Sequence, residues 1–137
     1  YVDNYMDLVD DPKTVIGKIV VFSPEGQKVL GPIKDELSKN DNLVITSSGP
    51  GNIEINHVNA QKGVALQAYA DSLNIPMDNV MAIGDNNNDV SMLKAAGISY
   101  AMGNGSDEVK MLAKYITAPN TEDGAGIAIE EVLAKKN

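Results

Sequence analysis

The stretch that decides the fold is an apolar run followed directly by a polar run: VMAI at residues 80–83 and GDNNND at residues 84–89. A short apolar run of this kind is typical of a buried parallel strand, and the helical pattern of residues 90–96 supports that interpretation. Loops at the carboxyl ends of parallel strands face the crevice where α/β proteins bind ligands, and the next helix offers its positive N-terminus there. The two carboxylates and three carboxamides of the loop therefore predict a ligand site.

Strand and helix patterns alternate on both sides of this loop. Before it, Leu66, Tyr69, Ala70 and Leu73 recur at helical spacing and predict a helix over residues 61–72 that buries this stripe. Repeated strand and helix units predict a parallel sheet. After the loop we expect, in order, a helix ending near Gly97, a strand at 98–102, a helix capped by Ser106 with Val109, Leu112 and Ala113 buried, a short strand at 115–117, and a final helix carrying Ile127, Ile129, Val132 and Leu133.

The first part of the chain predicts a different order, βαββ, and we place a boundary that gives domains 1–58 and 59–137. Its helix carries Val29, Ile33 and Leu37 on one face, with Gly31-Pro32 as the expected entry. Glycine and proline in the loop before the last strand suit a β-hairpin. The three strands are expected at residues 19–22, 43–46 and 53–55, with the helix between the first two.

The composition of the chain argues against several classes of function. The 137 residues include 43% hydrophobic side chains, enough for a core, and carry a net charge of −8. That charge repels nucleic acid and anionic membranes unless a basic patch overrides it, and no such patch stands out along the sequence. Cysteine is absent, and no apolar run approaches the roughly 20 residues needed to cross a bilayer. We therefore expect a soluble, cytoplasmic protein that binds neither nucleic acid nor membrane.

The spacing of acids in the polar loop suggests a divalent metal, and two metals can be compared. Asp85, Asn87 and Asp89 mimic the start of a calcium-binding EF-hand loop. The sixth position of such a loop needs glycine and is Val90, and the twelfth needs glutamate and is Ala96. Magnesium needs few protein carboxylates and shares its coordination shell with water and phosphate oxygens. We therefore predict Mg²⁺, with Asp85 as its ligand because it leaves the strand end directly.

Helix capping is the alternative explanation of the polar loop, because Asn88 or Asp89 could cap the helix that follows. A cap needs one side chain, whereas the loop offers five neighbouring polar ones. The cluster as a whole therefore favours ligand binding.

Lys62 stands at the start of a predicted helix, where a positive charge opposes the helix dipole at a cost of roughly 0.3 to 1 kcal/mol. A bound anion would offset that cost, and Gly63 beside it lets the backbone approach such an anion. The alternative is that Lys62 points into water, as most lysines do. Together, a lysine, helix N-termini and a metal-binding carboxylate predict a site for a phosphoryl group.

Five blocks of sequence resemble the haloacid dehalogenase-like phosphatases, and the Cof-type subgroup most of all. The resemblance implies the C-terminal half of a Rossmann-like core, and residues 15–56 are similar to the second half of an α/β cap inserted into that core. The blocks cover nearly all of residues 61–133 in the family's order and spacing: KGVAL (62–66), GDNNND (84–89), SMLKAAG (91–97), YAMGNG (100–105) and TEDGAGIAIEEVL (121–133).

The resemblance also implies a reaction and a role for each matching residue. Enzymes of this family use magnesium to hydrolyse phosphate monoesters, often of sugars, through an aspartyl-phosphate. Lys62 resembles the catalytic lysine that holds the transferred phosphoryl group, and Asp85 resembles the magnesium ligand. Asn88 resembles the asparagine that contacts phosphate, and Asp89 resembles a supporting acid that orients its neighbours, the lysine among them.

One part of the family's pattern is missing. The nucleophile and the general acid lie in a DxDGT-like motif after the first core strand, and a phosphate-binding Thr or Ser follows the second. Asp10-Asp11-Pro12 follows no buried strand and precedes no Gly-Thr, so neither motif occurs in these 137 residues. We therefore expect the C-terminal part of a larger phosphatase, inactive alone, whose partners are a small phosphorylated metabolite and the missing N-terminal half. That half should supply the central strand, and its loss would leave an exposed sheet edge.

Two other functions stay open at this point. One is a module that binds phosphate or metal without catalysis and regulates a partner, and the other is a structural fragment whose acidic loop only caps a helix. The orientation of Glu54 is open as well, because a residue between Ile53 and Ile55 in a strand faces either the substrate side of the cap or solvent.

Overall fold

A computed structural model describes residues 3–135 of the chain. Within them the strands form two three-stranded sheets, and the predicted α/β class with a parallel sheet is confirmed. None of the helices in residues 3–135 is both long enough and apolar enough to cross a membrane. The elements follow in the order α1 (Tyr5–Val9), β1 (Ile19–Phe22), α2 (Gln27–Leu37), β2 (Leu43–Thr46), β3 (Asn52–His57), α3 (Lys62–Ser72), β4 (Met81–Gly84), α4 (Val90–Ala95), β5 (Ile98–Ala101), α5 (Asp107–Leu112), β6 (Tyr115–Ile116) and α6 (Gly124–Ala134).

The first sheet is antiparallel, with the strand order β1-β3-β2. Strands β2 and β3 form the predicted hairpin, in which Thr46 pairs with Glu54. Helix α2 packs against these two strands, and Leu30 and Ile53 are fully buried. Because side chains alternate along a strand, Glu54 and Asn56 point away from the face that carries Ile53. The polar residues of the sheet therefore share one face, called the polar face below, with valines of β1 and β2 beside them.

The second sheet is parallel, with the strand order β4-β5-β6. Its core joins small residues of the strands to larger ones of the helices. Gly84 pairs with Ala101, so the carboxyl ends of β4 and β5 lie side by side. The polar loop after β4 and the glycine-rich loop after β5 therefore meet at one edge of the sheet. The core residues are Ala82, Leu93, Ala96, Ala101 and Val109.

Helix α2 differs from its prediction. It begins at Gln27, and Pro32 lies inside it rather than at its entry. The start is set by Gly26, which has a φ of 57° and whose carbonyl accepts hydrogen bonds from Val29 N and Leu30 N. Leu30 is the buried residue of the helix, whereas Val29 and Ile33 of the predicted face are exposed.

Small residues make the close contacts of α3, whose buried residues are Gly63 and Ala70. The predicted stripe of α3 is only partly right, since Ala70 is buried while Tyr69 and Leu73 are exposed. A Cβ atom on Gly63 would lie 2.4 Å from the carbonyl oxygen of Ser91, so glycine lets α3 approach α4 at this point. The division into 1–58 and 59–137 stays a prediction, although each sheet lies within one of these segments.

Candidate active site

The polar loop begins at the carboxyl end of β4, as the sequence predicts, because Asp85 follows Gly84 directly. Residues Asn87–Asp89 form a single 3₁₀ turn that leads into α4. Asn86 and Asp89 form a capping box, in which each side chain accepts from the backbone N–H of the other. Asp89 stands at the N-cap position of α4 but makes no side-chain capping hydrogen bond there, so the predicted cap of that helix is not formed and its carboxylate serves other groups.

Asp89 uses its two oxygens for two different purposes. Oδ2 accepts hydrogen bonds from the backbone N–H groups of Asp85 at 3.0 Å and Asn86 at 3.1 Å. Oδ1 accepts from Lys62 Nζ at 2.5 Å. A Cβ atom on Gly84 would lie 2.5 Å from Asp89 Cβ, so only glycine leaves room for this buried side chain. The carboxylate that completes the capping box of the 3₁₀ turn therefore also anchors Lys62.

The charge of Asp89 is stabilised despite its burial. Burial raises the pKa of Asp89, but the hydrogen bond from the Lys62 ammonium and those from the backbone N–H groups of Asp85 and Asn86 lower it more. The net pKa lies below the ordinary value for an aspartate. Asp89 is therefore an anion at neutral pH, as an anchor for a lysine must be.

Lys62 is the first residue of α3, and its side chain is 50% exposed. Besides Asp89, its Nζ atom contacts Asn88 Oδ1 at 3.5 Å. An ammonium has three N–H donors, so a third direction remains for a ligand. The structure thus brings Lys62, Asn88 and Asp89 together, and Lys62 is held in place rather than extended freely into water.

Asp85 is oriented by two amides. Its Oδ1 accepts from Asn86 Nδ2 at 3.0 Å, and its Oδ2 accepts from Asn104 Nδ2 at 3.1 Å. Asn104 lies in the loop after β5 and is itself fixed, since its Oδ1 accepts from Asn120 N at 2.8 Å. Neutral amides hold the carboxylate without cancelling its charge, and each oxygen keeps a lone pair for a cation. The sequence analysis quoted Asn104 within YAMGNG but gave it no role.

The donor set suits magnesium better than a metal that needs a full protein cage. Within residues 3–135, three or more acidic, histidine or cysteine side chains do not gather anywhere in a metal-binding group. Mg²⁺ is commonly bound by one or two carboxylates, with water and phosphate oxygens completing its octahedron. One oriented carboxylate, that of Asp85, therefore fits Mg²⁺ that arrives with a phosphate.

A cavity of about 420 Å³ lies between the polar face of the first sheet and this loop. Four lysines from separate parts of the chain line it, against two glutamates, although the whole chain has a net charge of −8. These lysines are far apart in the sequence, which is why no basic cluster is visible there. The charged lining residues are Lys18, Lys34, Lys62, Lys94, Glu54 and Glu108.

Glu54, whose orientation the sequence left open, faces this cavity and is buried. Its Oε2 accepts from Lys18 Nζ at 2.5 Å. The hydrogen-bonded Lys18 ammonium lowers the pKa of Glu54, and burial, which acts in the opposite direction, does not cancel this effect. Asn56, two residues along the same strand, is also buried and also lines the cavity.

Comparison with known proteins agrees with the geometry. Residues 1–129 match the family described as haloacid dehalogenase-like hydrolase. The chain is 45% identical over 108 residues to the 5-amino-6-(5-phospho-D-ribitylamino)uracil phosphatase YcsE of Bacillus subtilis, covering 79% of this chain and 43% of that protein. Its fold is similar to a haloacid dehalogenase-like hydrolase from B. subtilis, with a TM-score of 0.84, 33% identity, and coverage of 91% of this chain and 44% of the other.

A second solved structure is similar at lower identity. It is a sugar phosphatase of subclass IIB of the same superfamily, with a TM-score of 0.74, 28% identity, and coverage of 85% of this chain and 43% of that one. The chain thus spans less than half the length of each of these relatives. The family match over residues 1–129 confirms the resemblance found in the sequence. The chain belongs to the haloacid dehalogenase-like hydrolases.

Proposed function

We propose that this chain supplies the phosphate- and magnesium-binding half of the active site of a phosphatase. The enzyme hydrolyses small phosphate monoesters of the sugar-phosphate type through an aspartyl-phosphate, and the aspartate that attacks phosphorus lies outside these 137 residues. The observation that carries the proposal is the pairing of Lys62 with the buried Asp89 at 2.5 Å, at the edge of a lysine-lined cavity.

The roles follow from the contacts. Lys62 directs its remaining N–H donor to the transferred phosphoryl group and offsets its negative charge, because a nucleophile approaches a phosphate dianion only when that charge is neutralised. Asn88 Oδ1 accepts from Lys62, and its amide nitrogen donates to a phosphate oxygen. Asp89 keeps Lys62 in place and makes no contact with the substrate.

Magnesium, when bound, neutralises the phosphate further and helps to position it. Asp85 would ligate the metal directly. Asn86 and Asn104 act one step further out, since they fix the direction of the Asp85 oxygens.

The names of the relatives support a hydroxylated substrate. One of them acts on a phosphoribityl compound and another is called a sugar phosphatase. A cavity with an excess of lysines suits such phosphorylated metabolites by charge. We propose the same class of substrate here, with the segment that carries the nucleophile as the essential partner of this chain and with a cytoplasmic location.

Activity of the full-length protein tests the proposal. We expect hydrolysis of D-sorbitol 6-phosphate that requires Mg²⁺, and a loss of at least a hundredfold in kcat for both Lys62→Ala and Asp85→Ala. Lys39→Ala is the matched control, because Lys39 forms an exposed ion pair with Glu36 on the surface. Full activity in the Lys62 and Asp85 variants would disprove the roles. Tight binding of inorganic phosphate without any hydrolysis would favour the regulatory module instead.

A further inference from the structure

The polar face of the first sheet forms the wall of the cavity opposite the loop after β4. Glu54 and Asn56 lie on it at 5% and 8% exposure, so both are nearly inaccessible to solvent. Thr46, which pairs with Glu54 across the hairpin, also lines the cavity. Its Oγ1 atom is shielded from solvent and has no hydrogen-bond partner among residues 3–135. Three polar side chains thus occupy a buried sheet surface where apolar residues are the norm.

Burial of these groups is unfavourable unless something forms hydrogen bonds with them. Lys18 satisfies one oxygen of Glu54, through the contact at 2.5 Å. A carboxylate can accept about four hydrogen bonds, so Glu54 keeps acceptor capacity on the cavity side. The Asn56 amide adds both donors and acceptors. The wall is therefore equipped for a ligand rich in hydrogen-bonding groups.

The charges decide which part of a phosphate ester meets this wall. A phosphate dianion is attracted to Lys62, which keeps an N–H donor for it, and gains nothing from Glu54, whose charge Lys18 balances, so it takes the end of the cavity at Lys62 and Asn88. The organic part of the ester then lies against the sheet. Because Lys18 already balances Glu54, and lysines outnumber glutamates around the cavity, a cationic amine gains little there. Neutral hydroxyl groups fit both the charge and the hydrogen-bonding pattern.

We propose that Glu54 and Asn56 are specificity-determining residues that hydrogen-bond hydroxyl groups in the non-phosphate part of the substrate. The enzyme would thereby select polyhydroxylated phosphate esters over esters of the same length and charge that lack hydroxyls. This inference rests on the proposed phosphatase function and adds the residues that select the substrate. A site built to bind a hydroxyl group discriminates strongly against the analogue without it, since its buried polar groups are then left unpaired.

Two esters that differ only in their hydroxyl groups provide the test. D-sorbitol 6-phosphate and n-hexyl phosphate each have six carbons and one phosphate, and kcat/KM is measured for both with the full-length protein and Mg²⁺. The ratio of the two values is the selectivity for hydroxyls. Glu54→Gln keeps the size of the side chain and one acceptor but removes the charge, and we expect it to lower this ratio by about ten- to a hundredfold.

The matched control is Glu36→Gln, because Glu36 also pairs with a lysine at 2.5 Å but lies on the exposed surface of α2. We expect it to leave the selectivity within about twofold of the parent. If Glu54→Gln does not fold, as judged by circular dichroism, Asn56→Ala takes its place with the same expectation. An unchanged ratio in a folded and active variant overturns the inference and leaves the phosphatase function intact. Failure of the parent to hydrolyse either ester refutes the phosphatase function itself, and the inference with it.

Discussion

Replacing Asp89 with asparagine tests the double use of its carboxylate. The variant keeps the size of the side chain, but it has a single acceptor oxygen for the three donors that Asp89 now satisfies: Lys62 Nζ and the backbone N–H groups of Asp85 and Asn86. Hydrogen bonds to a charged group contribute about 1.5 to 3 kcal/mol each. The ion-pair part is smaller than in a buried pair, since Lys62 is half exposed. We expect Asp89→Asn to lower the free energy of unfolding by about 2 to 3 kcal/mol.

The pH dependence of this loss of stability distinguishes the effect of the Asp89 charge from the effect of its side-chain shape. The pKa of Asp89 is lower in the folded state than its ordinary value, so its charge stabilises the fold at neutral pH. That contribution is present above the unfolded pKa and disappears as the pH falls through the folded pKa. We therefore expect the stability difference between the parent and Asp89→Asn to be full at pH 7 and to shrink below about pH 4. Urea unfolding followed by circular dichroism across this range measures it.

Asp71→Asn is the matched control, because Asp71 is an exposed aspartate of α3 whose side chain, among residues 3–135, accepts a hydrogen bond only from Gln67 Nε2, at 2.8 Å. We expect a change within about 0.5 kcal/mol. A loss in Asp89→Asn that is no larger than this, or one that stays constant down to acid pH, would refute the explanation of the carboxylate as a charged cap and anchor.

Three further changes test other contacts of the site. Gly63→Ala should lower the free energy of unfolding, measured in urea, by about 1 to 3 kcal/mol, because its Cβ would lie 2.4 Å from the Ser91 carbonyl oxygen. Gly49→Ala is the control and should change this free energy little, since the space around Gly49 is open. Lys62→Met should raise the pKa of Asp89 and move the acid-unfolding midpoint to higher pH, and an unmoved midpoint would contradict the pairing. Asn104→Ala should weaken Mg²⁺ binding to the full-length protein by about tenfold or more in calorimetry, and unchanged affinity would show that it does not orient Asp85.

The strands and the parallel sheet could be predicted because their signals are local. Strand β1 begins and ends at the predicted residues, as does β2, since short β-branched runs between turns have few other structures available. Buried helix faces were harder to predict. Leu30 rather than Val29 faces the sheet, and the contact between α3 and α4 uses Gly63, because how closely two elements pack depends on small residues that hydrophobic spacing does not weigh.

The site shows the same division between local and long-range information. Asp85 and Asp89 could be placed at a strand end because the loop and the strand are contiguous in sequence. The contact between Lys18 and Glu54 could not be predicted, since it joins residues 36 positions apart and depends on the pairing of β1 with β3. The functional roles of Lys62, Asp85, Asn88 and Asp89 stay predictions that the activity measurements test.

The placement of Asp89 also explains how the site combines stability with function. A lysine held only by solvent would lose side-chain entropy each time it bound a phosphate. Asp89 restricts Lys62 before the ligand arrives, through the contact at 2.5 Å, and the backbone hydrogen bonds to Oδ2 restrict Asp89 in turn. Preorganisation of this kind reduces the cost of binding, but it also cancels part of the lysine charge. Two other lysines around the cavity compensate for that loss, so the anchor fixes the geometry while Lys34 and Lys94 supply long-range attraction for an anion.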